Sequence, residues 1–125
     1  MAVVLPVVLV LLLGSVLAAY VMYAYDTVSE AARGGARYAI VHGSMSSAPV
    51  GPTANDATVA TVAKGYAPAP APARLTVTST WPAGTNDASS PVTVTVTYQC
   101  QLPGAQFVGL GTFNITGSTT MLITH

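Results

Sequence analysis

The sequence predicts an α+β fold in which a long, hydrophobic N-terminal helix carries a small antiparallel sheet of three or four strands on its C-terminal half. Three observations lead to this prediction. Residues 1–25 are mostly apolar and carry no charge, and residues 26–43 continue as a small-residue amphipathic segment. In Leu75–Thr80 and Val92–Tyr98, mostly apolar residues alternate with threonine. Long apolar runs predict helix, and strict alternation predicts strands with one buried face.

The first half of the helix is apolar on every face from Val3 to Leu13. A helix of this kind must be buried all round, in lipid or in a bundle of helices. Pro6 lies in the first turns, where few backbone hydrogen bonds are lost. The apolar run has no basic start and continues past the small residues around Ala18, so we expect it to be retained rather than cleaved as a signal peptide.

Small and aromatic residues in this half predict how it is surrounded. Gly14 and Ala18 form a pair on which another helix can approach closely. Tyr20, Tyr23 and Tyr25 cluster where an aromatic belt would meet lipid headgroups. The subunit-interface residues that we predict are Val4, Leu5, Val8, Leu9, Leu12, Leu13, Gly14, Leu17, Ala18 and Val21.

The second half of the helix contains two adjacent glycines, Gly34 and Gly35. Each costs about 1 kcal/mol relative to alanine inside a helix. A local kink is one explanation, and close approach of another helix or of the globular domain is the favoured one. Glu30 can pair with Arg33, and Gly43 is expected to follow the helix C-cap. The predicted helix–domain packing residues are Ala32, Gly34, Gly35, Ala36, Tyr38 and Ala39.

The chain is divided into two parts at residue 43. Residues 1–25 form the membrane or filament-core half of the helix, residues 26–43 form its amphipathic half, and residues 44–125 form a small globular domain. In this domain we predict a short helix at about 54–64 and strands at about 74–81, 91–99 and 112–124.

Turn and cap residues set these boundaries. Thr53 and Asp56 lie close to a capping-box pattern, and Gly65 ends the short helix. The β-branched residues of Thr58–Val62 leave an extended conformation open for this stretch. Pro68–Pro72 alternates proline with alanine and predicts a stiff connector.

The composition excludes several classes of function. Four basic and four acidic residues cancel, so no nucleic-acid partner is predicted. Cys100 is the only cysteine; we expect it to pack near a strand end, with a crosslink to a neighbouring subunit as the alternative. His42 and His125 are expected to be solvated, and Gly104–Gly111 lacks the strand-then-helix setting of a nucleotide loop. We therefore expect no enzyme activity, no cofactor and no metal site.

Only 6% of the residues are charged, which gives a free monomer little protection against association. This suggests that lipid, identical subunits or sugars cover much of the surface. Asn114-Ile115-Thr116 matches the N-glycosylation pattern, so a glycan on Asn114 is possible, although three-residue matches often arise by chance.

The N-terminal segment resembles a known family. The start Ala2–Leu9, with Pro6 inside it, then Gly14, then the segment Ala31–Ala39, is similar to the N-terminal signature of TadE-like proteins. These are pseudopilins of the tight-adherence (Flp) pilus systems, with the long N-terminal helix of type IV pilins. One departure is that such proteins carry a glutamate ahead of the apolar run, whereas the first acidic residue here is Asp26.

The resemblance implies a pilin-like subunit that starts in the bacterial inner membrane and is assembled by the pilus machinery into an extracellular homopolymer for adhesion or surface attachment. Its partners would be identical subunits, the membrane before assembly, and that machinery. Two alternatives stay open. One is a minor pseudopilin or assembly factor retained in the inner membrane, and the other is a single-pass, membrane-anchored binding domain.

Overall fold

A computed structural model describes residues 2–67, 74–101 and 112–124. Its elements, in chain order, are helix α1 (Val4–Val41), helix α2 (Ala57–Gly65) and strands β1 (Leu75–Thr80), β2 (Pro91–Cys100) and β3 (Phe113–Leu122). The α+β fold with a long apolar helix and a small antiparallel sheet is confirmed. The predicted connector Pro68–Pro72, the Gly104–Gly111 segment and His125 lie outside the described residues.

The three strands form an antiparallel sheet in the order β1-β2-β3. Thr76 of β1 lies opposite Thr97 of β2, which lies opposite Thr116 of β3, so threonines face the same side across the whole sheet. Cross-strand hydroxyl hydrogen bonds join Thr93 to Thr120, Thr95 to Ser118 and Thr97 to Thr116 at 2.8, 3.1 and 3.3 Å.

The opposite face of the sheet packs on the second half of α1. Val92, Val94 and Val96 of β2 are fully buried, as are Val28 and Ala31 of the helix. Because side chains alternate along a strand, burying the valines leaves the threonines on the outer face. The predicted arrangement, with valines on the helix and threonines outward, is the observed one.

Helix α1 continues without a break through Gly34 and Gly35, because close packing occupies the space of the missing side chains. A Cβ atom at Gly35 would lie 3.0 Å from the Cβ of Ala63 in α2 and 3.2 Å from a methyl group of Val94 in β2. A Cβ at Gly34 would overlap the ring of Tyr66, which lies across the helix there. The glycines therefore allow α2 and the sheet to approach α1, as the favoured explanation required.

At the end of α1, one prediction is confirmed and another is wrong. Gly43 follows the C-cap residue His42, as predicted. The positive φ angles at glycine in the described residues belong to Gly51 and Gly84. His42 is half-buried rather than solvated, since its ring stacks on Tyr38 at 3.9 Å and its Nδ1 lies 2.8 Å from the Tyr38 carbonyl oxygen.

Helix α2 is capped by Asp56, and not by Thr53 as the capping-box pattern suggested. The Asp56 carboxylate accepts hydrogen bonds from the backbone N–H groups of Thr58 and Val59 at 2.8 and 3.3 Å, and from that of Gly51 at 3.1 Å. Burial acts to raise the pKa of this carboxyl, but the N–H groups of Gly51, Val59 and Thr58 outweigh it and hold the pKa below its ordinary value.

Replacing Asp56 with alanine should lower the free energy of unfolding by about 1–2 kcal/mol at neutral pH, because three N–H groups lose their acceptor. Asp56→Asn retains a capping oxygen and should lose less. Unfolding of the full chain in detergent, followed by Trp81 fluorescence, measures both. Equal stability of wild type and Asp56→Ala at pH 7 would contradict the capping role.

The same variant tests the pH dependence. Since the pKa of Asp56 is lower in the folded than in the unfolded chain, the ionised carboxylate stabilises the fold above the unfolded pKa of about 3.9. This contribution disappears as the pH falls through the folded value. The difference between wild type and Asp56→Ala should therefore shrink from pH 6 toward the acid limit.

Candidate assembly surface

The N-terminal half of α1, which we call its lower half, projects from the domain and leaves its apolar side chains exposed. The C-terminal half, which packs on the sheet and on α2, is called the upper half. The large apolar residues between Val3 and Val16 are 46–75% exposed. An 18-residue window of the helix reaches a mean hydropathy of 2.6, and none of that window is buried within the chain. The helix is therefore long and apolar enough to cross a membrane.

The lower half of α1 begins to contact the domain near Leu17, at the C-terminal end of this half. Of the predicted subunit-interface residues, Leu17 and Val21 are half-buried and the following eight are exposed: Val4, Leu5, Val8, Leu9, Leu12, Leu13, Gly14 and Ala18. Apart from the neighbouring backbone of the helix itself, no atom of the described residues lies within 4 Å of the position that a Cβ at Gly14 would take. These residues are available to lipid or to other chains, and their role at an interface stays a prediction.

Tyr20 differs from the predicted aromatic belt. Its side chain is half-buried against the domain, and its hydroxyl lies 3.3 Å from the hydroxyl of Tyr98 on β2. Tyr23 and Tyr25 remain more than half exposed, as belt residues would. Tyr20 therefore joins the apolar half of the helix to the end of the sheet, a contact that the sequence pattern did not indicate.

The packing residues predicted in the upper half of α1 lie against the domain. Ala32, Ala36 and Ala39 are fully buried. Gly34 and Gly35 are also buried, and Tyr38 is half-buried. Cys100, the last residue of β2, is fully buried in the same core, and this burial raises the pKa of its thiol.

The exposed face of the upper half carries the charges of α1. Asp26, Glu30, Arg33 and Arg37 are all exposed. At 100° per residue, the four residues fall within about 60° of one another around the helix. They lie opposite the side on which Val28 and Gly35 are buried. We call these four residues the charged stripe. Within the described residues its only salt bridge joins Arg33 to Glu30 at 3.5 Å, with both side chains more than half exposed.

The fold and this surface together define a small α+β domain carried on one projecting apolar helix that is able to span a membrane. Residues 1–37 match the family model described as TadE-like protein, so the resemblance is confirmed over that segment. No curated protein and no solved structure matches the chain. The family match and the apolar helix fit a pilus-associated, membrane-anchored subunit.

Proposed function

We propose that this chain is a pilin-like structural subunit that polymerises into an extracellular filament through its N-terminal helix, for adhesion or surface attachment. The observation that carries the proposal is the division of one continuous helix into two halves. From Ala24 to Ala39 the inner face of the helix is buried in the chain's own core. N-terminal to Leu17 the helix has no cover from the described residues.

The two halves need different surroundings. The upper half already has its apolar partners in the sheet and in α2, so the domain can stand in water. The lower half exposes large aliphatic side chains, each worth about 1.5–3 kcal/mol when fully buried. The inner membrane supplies this cover before assembly, and the helices of identical subunits supply it in the filament.

The transfer between these two environments gains little free energy by itself. Lipid hides the aliphatic side chains about as well as a helix bundle does, and association costs translational and rotational freedom. Extraction from the membrane therefore requires an assembly machine, so the pilus machinery is one of the proposed partners of this chain. In the filament the helices form the core and the domains face outward.

Electron microscopy combined with membrane fractionation tests the proposal in cells that contain the assembly machinery. Long uniform fibres that contain this chain support the filament function. Chain found only in the inner membrane, and extracted by detergent as monomers or small oligomers, would overturn it in favour of an assembly factor or an anchored binding domain.

A further inference from the structure

The order of charges along the charged stripe is complementary to that of a second, parallel stripe displaced along the helix axis. The two acidic residues come first and the two basic residues follow, and four of the eight charged residues of the chain lie here. Arg33 lies seven positions after Asp26, and Arg37 lies seven positions after Glu30. One displacement therefore brings both acidic residues of one helix level with both basic residues of another.

Other displacements between parallel helices satisfy the charges less well. With no displacement, each charge lies level with the same charge on the neighbour. A displacement of four positions sets Asp26 against Glu30 and Arg33 against Arg37. Displacements of three or eleven form a single opposite pair. Seven positions correspond to about 10.5 Å along the helix axis.

The stripe is continuous with the surface proposed to form the filament core. On the same face of α1, seven and more residues toward the N-terminus, lie Ala19, Ser15, Leu12 and Val8. This face points away from the domain that α1 carries. Helices that bundle through it partly dehydrate the charged stripe as well, and an unpaired charge in such a site costs several kcal/mol.

We propose that the charged stripe sets the axial register between neighbouring subunits. Asp26 and Glu30 of one copy pair with Arg33 and Arg37 of a parallel copy displaced by seven residues. This inference rests on the proposed filament function. Among the residues that the structure describes in one chain, Glu30 bonds only the nearby Arg33 at 3.5 Å, and that exposed pair is weak enough to exchange partners.

Chemical crosslinking tests the register directly. Arg37→Lys retains the charge and introduces an amine, which a carbodiimide couples only to a carboxylate in contact with it. Within one helix, Glu30 lies about 10.5 Å from position 37 along the axis, which two extended side chains can nearly span, so isotope labels are needed to identify links between two copies. Filaments grown from mixed isotopically light and heavy chains should yield linked peptides that pair one of each.

The expected link joins Glu30 of one copy to position 37 of the next. A link from Asp26 to position 37 would instead indicate antiparallel helices or a parallel displacement of eleven residues, and either arrangement overturns the proposal. Intact filaments with neither link would also overturn it. If the unaltered chain forms no filaments, both the register and the filament function fail, whereas filaments with the wrong link contradict the register alone.

Charge exchange gives a second, independent measurement. The double variant D26R/E30R makes the stripe wholly basic and should reduce filament yield at least about tenfold, because like charges then meet at every register. The matched quadruple variant D26R/E30R/R33E/R37E reverses the order of the charges and restores both pairs. It should recover most of the yield. Equal yield from the double variant and the unaltered chain would contradict the proposal.

All four side chains are exposed, so neither variant should disturb the domain. Thermal unfolding followed by Trp81 fluorescence checks this for each variant. A double variant that loses filaments but keeps its unfolding midpoint supports the proposal. A quadruple variant that keeps its midpoint and still forms no filaments contradicts it.

Discussion

Replacing Leu9 with aspartate should abolish filaments and reduce the amount of chain retained in the membrane fraction. Leu9 lies in the middle of the exposed apolar run and is 57% exposed. A charge at this depth costs about 3 kcal/mol in lipid and several kcal/mol in an apolar helix bundle. Imaging of fibres and fractionation of membranes measure the two losses separately.

Two control variants isolate the effect of the charge at this position. Leu9→Met changes the shape of the side chain but keeps it apolar, and should assemble normally. Thr80→Asp adds the same charge on an exposed position of β1, and should also assemble. Leu9→Asp subunits that polymerised like these controls would show that the lower half of α1 is not buried in the filament.

Replacing Gly35 with valine should destabilise the domain by about 3 kcal/mol or more, because overpacking adds to the loss of a close helix contact. The first added carbon would already lie 3.0 Å from Ala63 and 3.2 Å from Val94, and both of these residues are fully buried. Neither can move without shifting α2 or β2. Urea unfolding of the full chain in detergent gives the free-energy difference.

Gly14→Val is the matched control for this variant. It makes the same change in the same helix, but among the described residues no atom beyond the adjacent helix backbone lies within 4 Å of the added Cβ. The free energy of unfolding of the domain should stay unchanged, while assembly should be impaired if the small face of Gly14 lies against a neighbouring helix. Equal unfolding of Gly35→Val and Gly14→Val would contradict the close packing of α2 and β2 on Gly35.

The main elements of the fold could be predicted because local patterns determine them. The apolar run up to Tyr25 requires a helix in lipid or in a bundle, and alternation along Val92–Val96 fixes which side of β2 is buried. The exposed surface of α1 was predicted for the same reason, since the first residues are apolar on all sides and a small domain cannot cover them.

The contacts that differed depend on residues distant in the sequence. Thr53 and Asp56 are both capable N-cap residues, and the choice depends on Ser79 of β1, whose Oγ accepts from the Asp56 N–H at 2.9 Å. Tyr20 was predicted for the aromatic belt because its partner, Tyr98, is 78 positions away. The glycines were known to need a close neighbour, but not that Tyr66 and Ala63 would supply it.

The rows of hydroxyl groups on the outer face of the sheet determine how the hydration of this face responds to salt concentration and pH. Most of the polar groups on this face are threonine and serine hydroxyls, three pairs of which join β2 to β3, and hydroxyls of this kind do not ionise in the physiological range. Wetting of this face should therefore be nearly the same in fresh water and in brine, and should vary little with acidity.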